Sequence, residues 1–199
     1  MLRRTSLLGL FSCLSLPATA LAHTGGVTHS FLAGALHPLS GLDHLLAMLA
    51  VGLLAGCSTG RLRWGLPASF VTAMVVGAAI GVQGVDVPSV ELGIALSLVA
   101  FGAALVWKQT LGAPMLVALT AGFALFHGHA HGTEMGVNLS AALYAVGFVL
   151  STALLHTFGV LLATKMFAAG RQRTLVRWGG SAIAAVGVGS LGVLLVAPM

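Results

Sequence analysis

Residues 37–48 read His37-Pro38-Leu39-Ser40-Gly41-Leu42-Asp43-His44-Leu45-Leu46-Ala47-Met48, and they interrupt an otherwise apolar run from about residue 30 to residue 57. A second apolar run ends in Phe126-His127-Gly128-His129-Ala130-His131-Gly132-Thr133-Glu134. Together the two clusters hold five of the eight histidines and two of the four acidic residues, so ionisable groups gather where the chain is most apolar. Imidazole and carboxylate in such a setting are costly unless they bind something. A divalent metal ion is the ligand that these donor types suggest.

Composition decides the surroundings of these clusters. Only 7% of the 199 residues are charged and the mean hydropathy is +1.04. A soluble domain carries roughly 25% charged residues, so this chain has too little to face water with and belongs in a bilayer. Its runs are continuous and rich in Ala, Leu and Gly, without the alternation of strands. Six are long enough to cross a membrane, which takes about 20 residues: about 30–57, 64–82, 89–107, 111–131, 138–165 and 177–197. The expected fold class is an all-α membrane protein, a compact bundle of six transmembrane helices. Ahead of it, Arg3 and Arg4, an apolar stretch over 7–16 and the small residues of Ala20-Leu21-Ala22 read as a cleaved signal peptide, residues 1–22. Residues 23–199 then form the transmembrane domain. Cys57 is the only cysteine after the expected cut, which excludes an intramolecular disulfide.

The net charge of +5 does not point to nucleic acid. Arg61, Arg63, Lys108, Lys165, Arg171, Arg173 and Arg177 lie in three short gaps between apolar runs. With an exported mature N-terminus, all three gaps face the cytoplasm, as the distribution of basic residues in membrane proteins requires. Both mature termini are then periplasmic, and the expected location is a bacterial inner membrane. No oligomeric state is assigned. Small residues four apart (Gly52/Gly56, Gly77/Gly81, Gly128/Gly132 and Ala185/Gly189) suit close helix packing in lipid.

Helical spacing sorts the candidate ligands. His37 and His44 are seven residues apart, on nearly one face of a continuous helix, and Met48 continues that stripe. Asp43 flanks it. Pro38 and Gly41 predict a kink or local unwinding at the motif. His127, His131 and Glu134 share a face at i, i+4 and i+7, whereas His129 points away. At ~1.5 Å per residue, Asp43 and His44 are expected about 10 Å deeper than His37, and His156 deeper still. The polar residues would then descend as a staircase from the periplasmic side. At the mature N-terminus, His23 could chelate a metal through its amine and imidazole, and gather it together with His29.

The pattern His37-Pro38-x-x-Gly41-x-Asp43-His44-x-x-x-Met48, with Phe126-His127-Gly128-x-Ala130-His131-Gly132-x-Glu134, resembles the HupE/UreJ family. The resemblance implies uptake of nickel(II), or cobalt(II), in connection with hydrogenase or urease. It implies a metal site of His37, Asp43, His44, His127, His131 and Glu134, with His156 similar to a histidine of the fifth span. No permanent cofactor is expected, the ion being cargo. Nickel itself is implied by the resemblance and not by ligand chemistry, since zinc or cobalt would accept the same donors.

Three other classes fit less well. An intramembrane metalloenzyme could use Glu134 as a base, but neither His-Glu-x-x-His nor Gly-x-Ser-x-Gly occurs. A haem carrier would not need the carboxylates beside its histidines. A metal-binding sensor would use the same ligands without transport. No Walker A sequence is present. The chain is therefore expected not to be an enzyme.

Overall fold

The computed structural model describes residues 30–107, 111–135, 139–168 and 172–196. The expected signal peptide, His23, His29 and Lys108 lie outside the described residues. Among those described, the structure is entirely helical: α1 Phe31–Ser40, α2 Leu42–Gly56, α3 Leu62–Val82, α4 Val90–Trp107, α5 Ala113–Glu134, α6 Leu139–Ala168 and α7 Gln172–Val196. The last five are each long and apolar enough to cross a membrane. The first apolar run differs from one continuous span. It is broken into α1 and α2, which meet at 85°.

Local chemistry explains the break. The Ser30 hydroxyl caps α1 by accepting from the Ala33 N–H at 3.1 Å. Pro38 lies inside α1 and removes one helical donor. The Ser40 hydroxyl then donates to the His37 carbonyl at 2.7 Å, occupying a group that a continuing helix would use. Gly41 follows in an extended conformation, φ −102° and ψ 120°. Asp43 sits in the first turn of α2 and its carboxylate accepts the His44 main-chain N–H at 2.8 Å. An acidic group at that end is favoured by the helix dipole. With 15 residues, α2 is about 22 Å long at ~1.5 Å per residue, short of the roughly 30 Å hydrocarbon core. The pair α1–α2 is therefore one broken hydrophobic unit.

Helix packing follows the glycines. The most extensive contact is α3 with α5, followed by α4 with α7, and by α2 and α1 each with α6. At α3–α5 the helices meet backbone to backbone: a Cβ on Gly128 would overlap the Met74 carbonyl, and one on Gly77 the Leu125 carbonyl. Gly52 and Gly56 approach α6 in the same way, at His156 and Val160. The pair Ala185/Gly189 does not join helices, because Gly189 faces open space, and Gly187 packs against Leu98 instead. Large apolar side chains such as Leu154, Phe158 and Trp178 are exposed on the outside. In a chain this poor in charge that surface faces lipid. The buried core contains Met48, Phe70, Phe101 and Leu98, together with His127 and His156, which are also fully enclosed.

Candidate metal centre

Four histidine rings from three helices meet in the bundle. His37 comes from α1, His44 from the first turn of α2, and His127 and His131 from successive turns of α5. Ring centroids are 4.5 Å apart for His44–His131, 4.6 Å for His37–His131, 4.8 Å for His44–His127 and 6.4 Å for His37–His44. Among the described residues, α2 and α5 make little backbone contact, so the gap between them is bridged by these rings. The site is lined on the α6 side by Tyr144 and Phe148, which lie 5.7 and 5.9 Å from His37, and Phe148 is 4.4 Å from His131.

The expected 10 Å step between His37 and His44 is absent. Both rings touch His131 and their centroids are only 6.4 Å apart. The step assumed a straight helix, and the turn at Gly41 removes the axial rise between them. The same turn means that the two histidines do not share a helical face. They converge because the near-right-angle turn between α1 and α2 brings both rings against His131.

The remaining candidates occupy distinct places. Asp43 contributes its carboxylate at the edge of the cluster, where Oδ1 accepts a bond from His44 Nδ1 at 2.9 Å. Glu134 ends α5 at the exposed rim, where Glu91 at the start of α4 and His44 of the ring cluster are both near enough to act on it electrostatically. Met48 is fully buried one turn after His44. His129 turns to the other side of the unbroken α5, where its Nε2 donates to the Val85 carbonyl at 2.7 Å and ties down the α3–α4 connection. His156 on α6 is fully buried behind Phe70, whose ring is 5.0 Å from His156 and 5.7 Å from His127.

Several of the buried nitrogens have no hydrogen-bond partner among the described residues: His44 Nε2, His127 Nδ1, both nitrogens of His131 and both of His156. A buried polar atom left unpaired costs about 1–3 kcal/mol, so the nitrogens of His44, His127 and His131, whose rings meet, mark a place suited to a ligand, with His156 apart from them behind Phe70. Among the described residues, no three His, Cys, Asp or Glu side chains converge closely enough to hold an ion as placed. The rings instead meet edge to face, at interplanar angles of 85° and 86° for two of the pairs. A cavity of about 80 Å³, lined by Gly128, Met74, Tyr144 and Phe148, adjoins the cluster at His131.

Some residues of the site escape sequence reading. Ser97 bonds His127 from α4, and Phe70 touches two histidines from α3. Thr152, one turn before His156, is fully buried, and its hydroxyl has no hydrogen-bond partner among the described residues. Two signals were available. Ser97 is the only polar residue of α4 after Glu91, and Tyr144 is the only tyrosine of the chain. Phe70, Phe148 and Thr152 carried none.

The family model described as HupE / UreJ protein matches residues 11–190. Protein HupE of Rhizobium leguminosarum bv. viciae is 38% identical over 180 residues, spanning 90% of this chain and 94% of that relative. No solved structure matches. A match over nearly the whole chain, carried by a helical membrane bundle that gathers the histidines of both motifs, places this multi-pass membrane protein in the HupE/UreJ family.

Proposed function

We propose that the protein carries nickel(II), or the similar cobalt(II), inward across the bacterial inner membrane for hydrogenase or urease, and that it is a transporter and not an enzyme. The observation that supports this reading best is the meeting of His37, His44, His127 and His131 beside Asp43, with buried nitrogens that have no hydrogen-bond partner among the described residues. Imidazole with carboxylate suits first-row transition ions better than magnesium or calcium. The metal ligands in this reading are His37, Asp43, His44, His127 and His131, with Glu134 and Glu91 at the rim where a hydrated cation arrives. His156, behind Phe70, receives the ion on its way inward.

The orientation follows from charge. With the rim of Glu134 on the periplasmic side, Arg61 and Arg63 after α2 and Lys165 near the end of α6 face the cytoplasm. Both mature termini are then periplasmic. The membrane potential supplies a driving force of about 2.3 kcal/mol per charge per 100 mV. For a doubly charged ion, at about 1.4 kcal/mol per decade, that corresponds to accumulation of more than a thousandfold.

The decisive experiment is uptake of nickel, cobalt and zinc into proteoliposomes, with and without an imposed potential. Potential-driven nickel accumulation is expected in the wild type, and its loss in Asp43→Ala and His44→Ala at unchanged protein level. Binding without accumulation in the wild type would identify a sensor or store instead. Wild-type uptake by both variants would refute the site.

A further inference from the structure

Ser97 makes two hydrogen bonds with one hydroxyl. Its Oγ is 2.6 Å from the Ile94 carbonyl, one turn back in α4, and 2.9 Å from His127 Nε2. Both Ser97 and His127 are fully buried. The hydroxyl carries a single hydrogen, so its two contacts must divide into one donated and one accepted. If the hydrogen went to His127 Nε2, the ring proton would lie on Nδ1, which has no partner among the described residues. The short contact with the Ile94 carbonyl would then have no proton in it. The opposite assignment puts a proton in both contacts: the hydroxyl donates to Ile94, Nε2–H donates to Ser97, and the unpartnered His127 Nδ1 is left as a lone pair that a cation can take up.

We propose that Ser97 is a positioning residue that fixes the tautomer and orientation of His127 so that Nδ1 faces the ion. The inference rests on the metal reading given above. It mirrors the neighbouring ring, His44, which donates from Nδ1 to the Asp43 carboxylate and keeps Nε2 free. The two rings, 4.8 Å apart, are thereby set with opposite nitrogens bare. An outer partner of this kind determines which nitrogen of a histidine binds metal and raises its basicity. It also gives α4, whose other residues after Glu91 are apolar or glycine, a part in the site.

The test uses the full chain in detergent or nanodiscs, with ¹⁵N-labelled imidazoles, and reads the nitrogen shifts of His127, assigned through His127→Asn. Without metal, the wild type is expected to hold its proton on Nε2. Ser97→Ala is expected to lose that preference and to bind nickel 10–100-fold more weakly, the usual cost of removing such a partner. Ser97→Thr, which keeps the hydroxyl, restores both properties. A wild-type proton on Nδ1 overturns the proposal, as does a Ser97→Ala protein with unchanged tautomer and affinity. Should Ser97→Ala fail to fold, the wild-type tautomer alone still decides, with Ser97→Cys as the second variant. The expected tautomer in a protein that binds no nickel would refute the transport reading while leaving the assignment to Ser97 intact.

Discussion

Two glycine-to-alanine changes on the same helix should have opposite outcomes. In α5, an added Cβ at Gly128 would overlap the Met74 carbonyl oxygen and lie 2.7 Å from its carbon and 2.9 Å from the Ala78 nitrogen, where ordinary contact begins near 3.4 Å. The obstacles are main-chain atoms, so no rotamer change relieves them, and α3 and α5 must part by on the order of 1 Å in a close-packed interior. Overpacking of this kind costs about 1–3 kcal/mol. His127 sits on the displaced turn, and a shift of about 1 Å in a positioned group can weaken its action on the order of a hundredfold. Gly128→Ala is therefore expected to lower both unfolding stability and nickel affinity. Gly122 lies on the same helix with nothing within 4 Å. Gly122→Ala removes backbone freedom from the unfolded chain and is expected to be neutral or to stabilise by roughly 0.5–1 kcal/mol. Unfolding in mixed micelles and calorimetric titration with nickel measure both effects. Equal stability and affinity of the two variants would show that α3 and α5 are not in backbone contact and would refute the reasoning.

Other changes separate the roles of individual residues. Gly41→Ala keeps an allowed backbone conformation but brings its Cβ to 2.9 Å from Asp43 Oδ1 and 3.4 Å from His44 Nδ1. Weaker nickel binding with retained helicity is expected, measured by titration and circular dichroism. His129→Ala removes the bond to Val85 and is expected to cost about 1–3 kcal/mol of stability at unchanged nickel affinity; a tenfold affinity loss would make His129 a ligand. His156→Ala should slow proteoliposome uptake while equilibrium binding at the outer rings persists, and an unchanged rate would remove it from the path.

The parts of this molecule that sequence makes legible are those where one local rule acts alone. Helix α5 is unbroken through Glu134, so a period of 3.6 residues puts His127 and His131 on one face and His129 on another. The weakness at Pro38 and Gly41 was also readable, since each residue disfavours a continuous helix for its own reason. What could not be read was the size of the turn, because the angle between α1 and α2 is set by what α1 packs on, including Tyr144 against Gly34. The depth assigned to His44 failed for that cause alone. Glu134 keeps the phase of His127 and His131, but it is the last residue of α5 and its side chain is exposed, a change of depth that periodicity does not encode. Ser97 and His127 are 30 residues apart, and their contact depends on how α4 lies against α5. No periodicity encodes that.

Glycine contacts weld α5 to α3, while Gly34, Gly52, Gly147 and Gly159 weld α1 and α2 to α6. The donors are thereby divided between two stiff bodies. His127 and His131 ride on one; His37, Asp43, His44 and His156 ride on the other. Where the histidines meet, between α2 and α5, stand ring edges with little backbone contact, and a cavity lies between α3, α5 and α6. A small slide of one body along the other would change every distance across the seam at once, without unwinding a helix. In the transport reading proposed above, affinity for a shared ion would then follow a single displacement, and a seam able to close on a cation would also be able to let it go.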